Sequence, residues 1–196
     1  MSQSGPITFD ISELEKVAAS LVLDENEVKE ILRLAMDDTA MWANKESAKD
    51  LGRALNVPYP AMRKRIKAKR AGQGGNARIW YGINAIGLKY LKPKEDGSGV
   101  TTTAKSVPGA FIVPKLNSHV FKRTGEKRAM TRGNYRGQVR EVIAKQELDV
   151  ADQATVILGS IVTPKVAAHF MERLFFYLDR FSGSAEGTSR NQLQIK

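Results

Sequence analysis

Arg78-Ile79-Trp80-Tyr81-Gly82-Ile83 decides the fold class. Ile79, Tyr81 and Ile83 alternate with Arg78, Trp80 and Gly82. A period of two is that of a strand, whose successive side chains point to opposite faces. The apolar residues before this point recur every three or four positions, as on one face of a helix. The chain therefore passes from helix to strand near residue 77.

Working towards the N-terminus, Gly72-Gln73-Gly74-Gly75-Asn76 must be a loop. Before it, Pro60 is suited to the first turn of a short helix. That helix is expected over Ala61–Ala71. It carries Arg63, Lys64, Arg65, Lys67, Lys69 and Arg70, with Met62 and Ile66 facing a core. Asn56-Val57-Pro58-Tyr59-Pro60 stops an earlier helical stretch holding Ala48, Leu51 and Leu55. A longer helix precedes it, with Val28, Ile31, Leu32, Ala35, Thr39 and Trp42 on one face and an end at Ala43 or beyond. Asp24 and Asn26 can cap its start. Upstream, Ser12 and Glu15 have capping-box spacing, and Ile11, Leu14, Val17, Ala18 and Leu21 share a face. Residues 1–9 read as an arm.

Towards the C-terminus, Ile86, Leu88, Tyr90 and Leu91 suggest a second strand. Residues 93–106 are polar and Gly-rich and are expected to form a long mobile loop. Ala110–Val113 and Val120-Phe121 read as short strands, and Lys122–Arg140 as a basic hairpin or loop. Val139, Val142 and Ile143 return to strand or begin the next element. The last third is helical. Ala151, Ala154, Thr155, Leu158 and Val162 share one face, and Val166, Phe170, Leu174, Tyr177, Leu178 and Phe181 continue it. Gly159 and Pro164 predict a kink or break near Thr163. The tail 182–196 is polar and expected to be loose.

The order is that of an α+β protein. N-terminal helices precede a small, mostly antiparallel β-sheet packed on a long C-terminal helix. The expected partition is an arm at 1–9, a helical region with a basic helix at 10–75, an α+β core at 76–181 with the loop 93–106, and the tail 182–196.

The 196 residues suit one domain of ordinary size, and 42% hydrophobic residues are enough for a core. Lysine and arginine number 31 against 21 acidic residues, a net charge of +10. Nucleic acid, a membrane surface and an acidic protein face are the usual partners of such a surplus. There is no cysteine, which excludes disulfides and thiolate metal sites. No run of about 18 apolar residues is present and the N-terminus lacks a signal-peptide pattern. A product of the cytoplasm, without membrane attachment, is expected.

The residues assemble no catalytic, metal or cofactor site. His119 and His169 lack any metal-ligand spacing. Gly72–Gly75 lacks the spacing of a phosphate loop and precedes its strand. Asp37 and Asp38 are adjacent and diverge by about 100° on a helix, so they do not grip one ion together. The strongest signal is basic. One cluster spans Arg63, Lys64, Arg65, Lys67, Lys69 and Arg70. With the preceding helix it loosely resembles a helix-turn-helix over 47–71, which would make the chain a DNA-binding protein. The other cluster comprises Lys115, Lys122, Arg123, Lys127, Arg128, Arg132, Arg136 and Arg140, interleaved with Gly125, Gly133 and Gly137. Such a segment suits a phosphate backbone or an acidic protein neighbour.

Between the two clusters, Val107-Pro108-Gly109-Ala110-Phe111-Ile112, followed by Val120-Phe121-Lys122-Arg123-Thr124-Gly125, resembles the minor tail protein Z family of tailed phages. In that pattern an apolar Pro-Gly-Ala-Phe strand follows a Gly-rich loop and leads to a basic hairpin. Val57-Pro58 before Arg63-Lys64-Arg65-Ile66, and Arg78-Ile79 opening the sheet, fit the same pattern. So do Ile161-Val162-Thr163-Pro164 and the helix with Phe170, Glu172 and Arg173. The resemblance covers residues 45–180. The N-terminal helical region and the extended basic stretch after Lys122 depart from it. It implies a non-enzymatic structural protein of the virion that completes the tail at the head–tail junction. It also implies a ring of identical subunits, six-fold to match a tail tube, with DNA passing nearby. Its neighbours would be tail terminator or tail tube proteins and head-completion or connector proteins. No cofactor is implied.

Overall fold

A computed structural model describes residues 24–72 and 76–192, with side chains as far as residue 182. The expected arm 1–9, the helix built on Ser12 to Leu21 and the loop residues Gln73–Gly75 lie outside the described residues. The class is α+β, with a helix-rich N-terminal region, small antiparallel sheets and a long C-terminal helix.

Two compact units make up the chain. The first comprises Met1–Ser47, Ile66–Tyr81 and Leu158–Lys196, and the second Ala48–Arg65 and Gly82–Ile157. The division differs from the expected boundary at residue 75. The reason is strand pairing. β1 (Ile66–Lys69) pairs antiparallel with β2 (Arg78–Tyr81), Ile66 opposite Tyr81 and Lys69 opposite Arg78. Pairing joins segments that composition separates.

The first long helix, α1 (Glu25–Ala54), merges two stretches read apart in the sequence. Lys45-Glu46-Ser47 contains no Gly or Pro to break it, and extending a formed helix is easier than nucleating another. Asp24 caps its start. One Asp24 carboxylate oxygen accepts hydrogen bonds from the amides of Asn26 and Glu27, both at 2.8 Å. The Glu27 carboxylate in turn accepts from the Asp24 amide at 2.9 Å, closing a capping box. At the other end Asn56 adopts φ 53°. The Val57 amide then donates to the Gly52 carbonyl at 2.9 Å, and the Asn56 amide to Arg53 at 3.4 Å. This is the Schellman arrangement, which satisfies the last carbonyls of a helix.

In the first unit, Ile31 and Ala35 of α1 form a buried cluster with Phe170, Leu174, Tyr177 and Leu178 of α4 (Thr163–Gln192). The apolar stripe of the C-terminal helix thus meets α1. A line of polar contacts runs beside it. His169 stacks on Trp42 with centroids 4.1 Å apart and lies 3.3 Å from the Thr39 hydroxyl. Arg173 and Tyr177 both bond Asp38. Residues 169, 173 and 177 are four apart, so one helix face presents all three. Asp37 points elsewhere, accepting from Arg33 at 3.2 Å and from the Ala71 amide at 2.6 Å. The two carboxylates diverge as expected.

The predicted break in the last helix is a π-helical segment, Leu158–Val162, immediately before Thr163. The Thr163 hydroxyl donates to the Leu158 carbonyl at 2.8 Å, and Pro164, which has no N–H to give, follows the π segment directly. The helix then continues to Gln192, through most of the tail expected to be loose, because propagation requires no new nucleus. By length and composition, Ala151–Ser182 is long and apolar enough to cross a membrane. Polar residues interrupt it, so no unbroken apolar run stands out in the sequence.

In the second unit, α2 (Tyr59–Arg63) is five residues long. This corrects the expected basic helix over Ala61–Ala71. Lys64 and Arg65 leave the helix and Ile66 enters β1, where Ile66 is buried while Lys67 and Lys69 are exposed. The alternation of Ile66-Lys67-Ala68-Lys69 is a strand pattern overlooked among so many charges. The helix that would serve as the second of a helix-turn-helix over residues 47–71 is therefore only five residues long.

The expected loop 93–106 is also corrected. β4 (Lys94–Asp96), β5 (Gly99–Thr101) and β6 (Ser106–Pro108) form an antiparallel meander. Asp96 accepts from the Ser98 amide at 2.8 Å and the Gly99 amide at 3.0 Å, which makes the first turn. Gly99 has φ 155°, and a Cβ there would lie 2.4 Å from the Val107 carbonyl oxygen. Val100 is fully buried, and Val107, opposite it in the ladder, is buried too. Two buried valines and one close backbone approach order a segment that its composition marks as mobile. β3 (Ile86–Gly87) pairs with β10 (Glu147–Leu148), and α3 (Ala151–Ile157) closes the unit.

Candidate functional site

The last sheet of the second unit holds the basic region. Its strands are β7 (Ala110–Val113), β8 (His119–Ala129) and β9 (Val139–Lys145), in that order. Asn117 and Ser118, both with positive φ, turn the chain into β8. Pro108, Gly109, Ala110 and Phe111, the residues of the family-like strand motif, lie at the end of β6 and the start of β7. Ala110 pairs with Lys122 and Phe111 with Phe121. Ala110 and Val120 are buried, and Gln146 donates its amide to the Val120 carbonyl at 2.8 Å. The hairpin is rooted in packed structure.

Beyond that root the environment changes. Every residue from Lys122 to Arg140 is exposed to solvent. A two-stranded arm without a core keeps its shape through hydrogen bonds, and those are present. The ladder shifts between Arg123 and Lys127, where Gly125 takes φ 81°. Glu141 closes this bulge, accepting from the Gly125 amide at 3.2 Å and from Arg123 at 3.4 Å. The Thr124 hydroxyl donates to the Val142 carbonyl at 3.1 Å. At the tip the Gly137 amide donates to Met130 at 2.8 Å and the Met130 amide to Gln138 at 2.9 Å. The Arg140 guanidinium lies 3.6 Å from the centre of the Tyr135 ring.

Charge is concentrated in the arm. Residues 122–140 carry seven cations and one carboxylate, Glu126, a net +6 of the chain's +10. Register sorts these side chains by face, since residues opposite one another in a ladder point the same way. Lys127 lies opposite Glu141, and Arg123 opposite Ile143, on one face. Arg128 lies directly opposite Arg140, and Lys122 opposite Ala144, on the other. Glu141 thus partly neutralises the first face. Among the described residues the ion pairs of this segment are Arg123–Glu141 and Lys145–Glu147. Neither involves Arg128, Arg132, Arg136 or Arg140.

The first basic cluster belongs to two units. Arg63, Lys64 and Arg65 belong to the second unit, and Lys67, Lys69 and Arg70 to the first. Arg65 is a structural tie, donating to the Gly82 carbonyl at 2.9 Å and binding the Asn84 and Ala85 carbonyls. Burial lowers its pKa. The Lys67 ammonium lies 6.0 Å from the centre of the exposed Trp80 ring. His119 is half-buried and edge-on to Phe121, and its pKa is lowered by burial and then by Lys89 and Lys145. Among the described residues no three His, Asp or Glu side chains gather to hold a metal ion.

Sequence reading found the cations of the arm and missed their arrangement. The bulge at Gly125 shifts the ladder, so the Arg128–Arg140 pairing cannot be counted out from the root of the hairpin. No protein-family model, curated protein or solved structure matches the chain.

Proposed function

We propose that this chain is a structural protein of a tailed-phage particle that completes the tail at its head-proximal end, as a six-fold ring through which DNA passes. The observation that carries the reading is the exposed cationic hairpin, rooted at the strand that resembles the tail-protein motif. An arm that buries nothing within its own subunit suits contact with another molecule. Ring symmetry would repeat that arm around an axis and multiply its field. Residues 45–180, which carry the family-like pattern, include the whole of the arm and its root. The neighbours in this reading are tail terminator or tail tube proteins on one side and head-completion or connector proteins on the other.

Electron microscopy of particles assembled without this protein tests the proposal. Heads and tails that fail to join, with tails open at the head-proximal end, are the expected result. Infectious particles with normal junctions would reject it.

A further inference from the structure

The two faces of the hairpin differ in a way that net charge alone does not express. Arg128 and Arg140 occupy directly opposed positions of an antiparallel ladder. Like charges placed so are destabilising. Neither has a carboxylate partner among the described residues, whereas the other face holds Glu141 between Arg123 and Lys127. The Tyr135 ring holds the Arg140 guanidinium in place. Arg132 and Arg136 continue the positive charge through the tip, whose turn is held by hydrogen bonds within the loop. The arrangement is unfavourable alone and becomes favourable when an anion bridges the pair.

We infer that the face carrying Arg128 and Arg140, continued by Arg132 and Arg136, binds the phosphate backbone of duplex DNA. Arginine matches a phosphate with two parallel N–H donors, which lysine does not. The distal arm carries four arginines and one lysine, Lys127. A two-stranded ribbon also fits a major groove about 12 Å wide, so cations on one face and at the tip can meet phosphates along its wall. Arginines that grip phosphates position the chain without reading bases, so binding is blind to sequence. The inference deepens the proposed role by assigning the partner of the arm, and it rests on that reading only for the choice of DNA as the polyanion at hand.

Fluorescence anisotropy of a labelled 20-base-pair duplex (a length set by the experiment, on the order of two helical turns), titrated with the full chain over a range of salt, tests it. The expected log–log slope of affinity against salt is roughly −3 to −4, from about −0.9 per phosphate contact. The double variant Arg128→Gln with Arg140→Gln is expected to reduce that slope by about 2 and to weaken binding roughly tenfold or more at low salt. Lys92→Gln with Lys94→Gln removes the same charge from exposed sites elsewhere in the unit and is expected to change the slope by far less. Circular dichroism establishes that each variant is folded. No binding at low salt, or equal loss in the two double variants, overturns the inference. So does displacement of the duplex by polyglutamate as effective as by unlabelled DNA, which would mark the arm as a docking site for acidic protein. None of these results depends on head–tail joining, so the inference and the proposed role fail separately.

Discussion

Arg173 donates two hydrogen bonds to one oxygen of Asp38, at 3.0 and 2.8 Å, and the Tyr177 hydroxyl donates a third to the same oxygen at 2.7 Å. Three donors converge on a carboxylate from a helix more than a hundred residues away in sequence. Arg173 is the more enclosed partner, while the Asp38 side chain is 44% exposed.

Asp38→Ala strands a guanidinium and a phenol at once. We expect it to destabilise by about 1–2 kcal/mol, held below the value for a fully buried pair by solvent screening. Glu25→Ala breaks the Lys29–Glu25 pair, which is mostly solvent-exposed, and should cost far less. Urea denaturation of both variants checks the order. Equal effects would deny the cross-helix contact any special weight.

Leu174 and Phe175 are neighbours with opposite environments, 1% and 53% exposed. Leu174→Ala is expected to lower stability by roughly 2–5 kcal/mol, from lost burial and the cavity left behind. Phe175→Ala should remain within about 0.5 kcal/mol of the parent in dilute solution. A chain in which Phe175→Ala is the worse of the two would place the helix the wrong way round.

At the end of α1, Asn56 holds a positive φ that a Cβ-bearing residue adopts at a cost of roughly 1–2 kcal/mol. Asn56→Gly should be neutral or slightly stabilising, and Asn56→Ala destabilising by about 1 kcal/mol. Gly52→Ala is expected to destabilise in spite of better helix propensity, because its Cβ would lie 2.9 Å from the Val57 carbonyl oxygen. Thermal melts of the three variants give the test.

Burial lowers the pKa of His169 from its ordinary 6.5, opposed by Glu172, reinforced by Arg173 and opposed again by Asp38. The folded chain therefore binds fewer protons than the unfolded chain just below pH 6.5. Stability is present above that value and declines as pH falls from it towards the lower pKa of the folded state. Glu25, Glu30 and Asp96, each lowered from the ordinary carboxylate value, lose their contributions at more acidic pH. Melting temperatures between pH 7.5 and 5 should fall, and His169→Gln should flatten the curve. A rising melting temperature over that interval contradicts the assignment.

Several elements were legible because local chemistry specifies them. The alternation of Arg78 to Ile83 marks β2, Asp24 marks the start of α1, and Gly159 with Pro164 marks the break that the π segment fills. The family-like Pro108–Phe111 stretch does enter a strand. Other readings failed where long-range packing overrides composition. Lys64 to Arg70 leave the helix because Ile66 is buried in a strand pair, with its carbonyl accepting from Asn44 at 3.4 Å. Residues 94–108 are ordered by Val100, Val107 and Gly99, three residues among many polar ones. The cations of the candidate site were all visible, but their facing was not, since a bulge between Arg123 and Lys127 breaks the count from the packed root of the hairpin and composition does not place the turn at its tip.

From its sequence alone this protein is α+β, basic, free of cysteine, and possessed of an arginine-rich segment between two strands. Those properties follow from periodicity, composition and capping, which act over a few residues. Tertiary structure alone decides that Arg128 faces Arg140, that Asp38 meets Arg173, and that Ile66 begins a strand. Each of these depends on which distant segment supplies the partner, and no local propensity carries that information.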